Sequence, residues 1–168
     1  MDTGLAVLHI LVGLLFVGHG AQKLFGAFGG HGLEGTAGFF ESLGFRPGRF
    51  HAFAAGFNEF VGGALLALGL LVPLGAALLI ATMVAASLTA HRGKGIWNQN
   101  SGSELPLVYA AIAFALAAVG PGDVSLDSAL GLDLHGLGWA LAALAAGVLG
   151  GLAAVASGRL GRTRASNG

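Results

Sequence analysis

Glu59 stands in the middle of an apolar stretch and is the residue best placed to do chemistry in this sequence. It lies about nine residues in from Phe50, roughly 13 Å below one surface if the stretch is a membrane-crossing helix. A lone carboxylate at that depth either takes up a proton or finds a basic partner. Asn58 adjoins it, and another apolar run carries His19, Gln22 and Lys23 near one end. His19 is about 9 Å deep by the same arithmetic, close to the level of Glu59. His19 and Lys23 stand four residues apart and share a helix face. These positions predict a polar cluster of His19, Gln22, Lys23, Asn58 and Glu59 that opens towards one membrane face, with the loop 91–104 over it. Two functions fit such a cluster. It is a ligand or proton site, the default reading of intramembrane ionisable groups, or it is a tie between two helices.

The elements that must position these groups follow from composition. The chain has 168 residues, 55% hydrophobic and 10% charged, with a mean hydropathy of +0.80. A soluble domain carries about 25% charged residues. The expectation is an all-α integral membrane bundle. Its spans are read as residues 4–25, 50–72, 74–90, 105–119 and 137–156, with Pro73 separating the second from the third. Residues 33–45 repeat apolar positions at helical spacing and read as a short interfacial helix. The N-terminal run lacks the basic start of a secretory signal and reads as a retained helix. With five spans, every Lys and Arg falls on one side: Lys23, Arg46, Arg49, Arg92, Lys94, Arg159, Arg162 and Arg164. The other side holds Asp2, Asp123, Asp127 and Asp133. The positive-inside rule then places the N-terminus outside and the basic tail in the cytoplasm.

Several classes recede. Zero net charge gives no nucleic-acid footprint. The absence of cysteine removes disulfides, thiolate chemistry and cysteine-ligated clusters. The stretch 30–35 matches GxGxxG, but no strand precedes it, so a hinge is the better reading. His9, His19, His51 and His91 are the candidate haem ligands; their depths differ, which disfavours haem, and no covalently bound cofactor is expected. Gly147 and Gly151 form a GxxxG that permits close helix contact, though in a chain with 31 glycines chance serves equally well.

The run from Gly18 through His19, Gln22 and Lys23 to Gly26 resembles the first-span signature of the DoxX family. So do residues 35–40, the Glu59 position, and the series His91, Gly95, Trp97, Asn98, Gly102, Glu104 and Pro106. The likeness extends over roughly residues 5–120. It implies a four-helix DoxX-like core over residues 1–120, with residues 121–168 adding an acidic loop, a fifth transmembrane helix and a basic tail. Ser103 stands where the family often has an aromatic. The resemblance adds Trp97, Asn98 and Glu104 to the candidate ligand-binding positions; from the residues alone, Asn98 reads first as a helix cap.

Members of the family are prokaryotic membrane proteins associated with quinone chemistry and oxidative stress. The implied activity is that of a membrane subunit which binds a quinone or similar small redox-active ligand and works with a partner oxidoreductase on the cytoplasmic side. His19 and Lys23 would donate hydrogen bonds to a ligand oxygen and Glu59 would handle a proton. The rival readings are a non-catalytic anchor for soluble redox enzymes and a small-solute or proton transporter. Homo-oligomerisation fits so small a bundle without being fixed by the sequence. Whether the chain is itself an enzyme stays open at this level.

Overall fold

The computed structural model describes residues 2–166, with side chains described for residues 3–159. Arg162, Arg164 and the Asp2 side chain lie outside that set. Seven α-helices follow one another among the described residues: α1 (Asp2–Phe25), α2 (Gly32–Ser42), α3 (Gly48–Leu68), α4 (Val72–Leu88), α5 (Glu104–Val119), α6 (Leu126–Ala129) and α7 (Leu137–Ser166). The described chain contains no strand. Three stretches are long and apolar enough to cross a membrane: Thr3–Phe25, Gly48–Leu68 and Leu137–Arg159. α4 and α5 are apolar but shorter, at 17 and 16 residues. They span about 24–26 Å, somewhat under a ~30 Å hydrocarbon core. The chain is a helical membrane bundle, as its composition requires.

α1, α3, α5 and α7 each have a buried stripe and an exposed apolar face, whereas α4 has no exposed residue between Gly75 and Ser87. In α1, Ala6, His9, Val12, Phe16 and Ala21 are buried, whereas Leu11, Leu14 and Leu15 are more than half exposed. Exposed leucines are what a bilayer solvates. The main core joins all five long helices. Val12 and Phe16 of α1 meet Leu66 of α3, Val72, Leu79 and Ile80 of α4, Leu116 of α5, and Ala140 and Ala143 of α7.

Several boundaries differ from the sequence reading. α3 ends at Leu68, because Gly69 takes the left-handed conformation (φ 59°) and closes a double turn with Gly69 N donating to Leu66 O and Leu70 N to Leu65 O. Pro73 is no separator. It occupies the first turn of α4, where its fixed φ suits the helix and its missing N–H costs nothing. α7 continues through Ser166, well past the expected end at residue 156.

The Gly147–Gly151 spacing is a genuine contact. A Cβ on Gly147 would lie 2.6 Å from the Ile80 side chain, and one on Gly151 would lie 2.7 Å from Ala81 O. The chain therefore alternates direction at every long helix, and Lys23, Arg46, Arg49, Arg92, Lys94 and Arg159 share one end of the bundle.

Candidate functional site

The site is built on the α1–α3 crossing. Gly13 and Gly20 of α1, seven residues apart, face Gly63 and Gly56 of α3, also seven apart. A Cβ on Gly13 would sit 2.4 Å from Ala67 N, and one on Gly20 would sit 2.5 Å from Phe60 N. The two backbones are in direct contact, as small residues permit between membrane helices. Glu59 projects from the same face of α3, between the two glycines, and is 4% exposed. Lys23 lies three residues beyond Gly20 on α1 and forms an ion pair with Glu59. The two halves of the pair differ in burial, with the Lys23 side chain 28% exposed and that of Glu59 5%. Breaking such a pair strands a charge in a low-dielectric setting, which is why buried charges in membranes are found partnered.

α2 locks the lysine end. Thr36 Oγ1 donates to Gly32 O at 2.7 Å and lies 3.3 Å from Lys23 O. Gln22, expected in the cluster, instead donates from Nε2 to Phe28 O at 3.4 Å and so braces the turn between α1 and α2. His19 is exposed, with its ring edge-on to Phe16 at 6.3 Å. Among the described residues it has no hydrogen bond or ion pair to Lys23 or Glu59. Asn58 is half-buried beside Glu59. Of the five residues expected to cluster, the structure joins Lys23 and Glu59 through their side chains.

Trp97, Asn98 and Glu104 belong to a separate structure. Glu104 Oε2 accepts a hydrogen bond from Asn98 N at 2.8 Å, and Glu104 N donates to Ile96 O at 2.7 Å. The loop is thus closed by its own glutamate, and Trp97 is 63% exposed. Two residues of the loop expected over the Lys23–Glu59 pair, Gly95 and Ser103, line a cavity with Leu152 and Val155 of α7. No hydrogen bond or ion pair among the described residues joins this loop to Lys23 or Glu59.

The histidines considered as haem ligands are dispersed. His9 Nδ1 is 3.0 Å from Leu66 O, and its Nε2 is buried without a partner. His51 is buried between the rings of Phe45 and Phe50, at 4.9 and 5.3 Å. His91 Nδ1 is 2.7 Å from Ser101 O.

Sequence reasoning missed one carboxylate entirely. Asp127 falls in the expected acidic loop, yet it is 2% exposed. Its oxygens accept from Leu71 N at 2.8 Å and Val72 N at 3.3 Å, capping the start of α4. Its partners stand more than fifty residues away in sequence, so no local pattern announces the role.

The family model for DoxX matches residues 4–92. That stretch runs from α1 to just past α4 and carries the glycine seam and the Lys23–Glu59 pair. It ends before Trp97, Asn98 and Glu104, so the family likeness is shorter than the expected 5–120. No curated protein and no solved structure matches the chain significantly. The match takes in more than half of the 168 residues, and the chain belongs to the DoxX family.

Proposed function

We propose that this DoxX-family membrane protein binds a quinone or similar small redox-active ligand beside the Lys23–Glu59 pair and works with a partner oxidoreductase. The observation that carries the reading is the asymmetry of that pair: a buried acid holding a lysine that stays partly accessible. Lys23 has three N–H donors and spends one on Glu59, leaving the others to hold a ligand oxygen. Glu59 behind it takes or returns a proton as the charge on that oxygen changes. His19, exposed and one turn before Lys23, supplies a second donor at the rim. Electrons come from the partner, which docks at the end of the bundle where the basic residues gather. The positive-inside rule makes that end cytoplasmic in a prokaryotic cell membrane.

The same gathering of Arg46, Arg49, Arg92 and Lys94 supports a second reading, in which the protein is an anchor for a soluble redox enzyme and binds no ligand. One experiment separates the two. A short-chain ubiquinone analogue is titrated into the protein in nanodiscs, with tryptophan quenching as the readout, for the parent and for Glu59→Gln. The ligand reading expects saturable binding that weakens about tenfold or more in the variant, the scale of a lost charge-assisted hydrogen bond. Equal binding by a well-folded variant, or no saturation in the parent, rejects it.

A further inference from the structure

A second candidate site lies at the basic end of the bundle, between α4 and α7. A cavity of about 770 Å³ opens there, with Leu152, Val155 and Ala156 of α7 on one wall and His91 and Arg92, just past α4, on the other; Arg159 borders it at the end of the wall. A smaller cavity of about 300 Å³ continues from it towards Phe45 and Gly158, sharing Arg92 and Arg159.

The order of side chains along α7 carries the argument. Leu152, Val155 and Arg159 recur at spacings of three and four, so one helix face runs apolar for two turns and ends in a guanidinium. On the other wall Leu88 closes α4, and Arg92, in the turn beyond it, borders the same space. α7 on one side, and the end of α4 with the turn after it on the other, thus bring apolar side chains and two arginines to one shared space, at the bundle end where the cationic residues collect. That is the complement of an amphiphile with an anionic head.

We infer that this cavity binds an anionic phospholipid, with its phosphate between Arg92 and Arg159 and an acyl chain along Leu152 and Val155. A guanidinium matches phosphate oxygens in a planar, bidentate way. The bilayer supplies such lipids at the level where arginines at a helix end stand. One wall of the site comes from α7, outside the stretch that matches the family model. The inference does not depend on the Lys23–Glu59 reading, since the two sites share no residue.

Native mass spectrometry of the full chain in detergent tests it, with phosphatidylglycerol and phosphatidylcholine of matched acyl chains as probes. Phosphatidylglycerol should be retained preferentially. Each basic group near an anionic lipid surface is worth about a factor of five, so Arg92→Gln with Arg159→Gln should lower retention roughly thirtyfold, to the phosphatidylcholine level. Lys94→Gln removes the same charge from the same loop outside the cavity and should change nothing. Val155→Phe, which narrows the apolar wall and keeps every charge, should also weaken retention, and this variant decides the matter if the double arginine variant fails to fold. Equal retention of the two lipids overturns the proposal. So does a loss in Lys94→Gln as large as that in the arginine variant, or displacement of the lipid by inorganic phosphate.

Discussion

Two glycines of α1, two residues apart, should respond to the same substitution in opposite ways. At Gly20 a new Cβ would lie 2.5 Å from Phe60 N and 2.7 Å from Gly56 O, whereas at Gly18 it would meet nothing within 4 Å. Ordinary contact begins near 3.4 Å. Gly20→Ala must therefore push α1 and α3 apart by about 1 Å, and both obstacles are backbone atoms that cannot rotate away. Overpacking of this kind costs about 1–3 kcal/mol. Any gain in helix propensity from alanine, up to about 1 kcal/mol, is common to both variants and cancels in the comparison. Gly18→Ala should be neutral or mildly stabilising, and Gly20→Ala should fall about 1–3 kcal/mol below it. Reversible unfolding in mixed micelles with rising dodecyl sulfate measures the difference, read by the fluorescence of Trp97 and Trp139. If the two variants agree within about 0.5 kcal/mol, the ordinary scatter of surface substitutions, then α1 and α3 do not touch through their backbones.

Three further substitutions test other contacts. Lys23→Met leaves Glu59 buried with no cation and should cost about 2–4 kcal/mol, more than Glu59→Gln, because a partly exposed lysine can turn its ammonium to the interface while a buried carboxylate cannot; the same unfolding assay ranks them, and a reversed order would place the desolvated charge on the wrong residue. Asp127→Ala uncaps α4 and should lower stability by about 2–4 kcal/mol, with Asp127→Asn losing less because one acceptor remains; a thermal unfolding shift in nanodiscs reads this, and an unchanged transition in the alanine variant would mean the cap contributes nothing. His9→Met should be tolerated within about 1 kcal/mol, since Leu66 O keeps its bond from Gly69 N at 2.9 Å and the partnerless Nε2 disappears; a large loss would show that His9 Nε2 has a partner in the membrane.

Particular residues show where the sequence was legible and where it was not. Glu59 stands out because a carboxylate in an apolar run has few candidate partners, and Lys23 comes to it through the helix face it shares with His19. Depth arithmetic admits His19 to the buried group, where the structure leaves it exposed. Depth is one coordinate, whereas azimuth is another, and the buried stripe through Phe16 and Gly20 leaves His19 at its margin. The α1–α3 glycine seam escaped notice for a statistical reason: with 31 glycines, a spacing of seven carries little information until a facing pair on another helix is known. From sequence alone Pro73 reads as a break, because proline both ends and begins helices and only the turn at Gly69 decides which. Asp127 is illegible in the sequence because the hydrogen bonds of its carboxylate are entirely long-range.

The seam and the ion pair are one device. Two helices that touch through glycine backbone leave almost no room between them, yet Lys23 must cross from α1 to reach an acid on α3. Gly56 provides the passage. A Cβ there would come within 3.2 Å of Lys23 Cβ and 2.8 Å of the Leu24 side chain. The glycine thus serves the crossing twice, by admitting Gly20 on one side and the lysine stem on the other. A looser crossing would place more side chains between the helices and widen the gap that the lysine must span. It would also open Glu59 to the bilayer. Close backbone contact is therefore what keeps the acid dry and the lysine directed at it, and the chemistry open to the pair depends as much on the uncharged glycines as on the two charges.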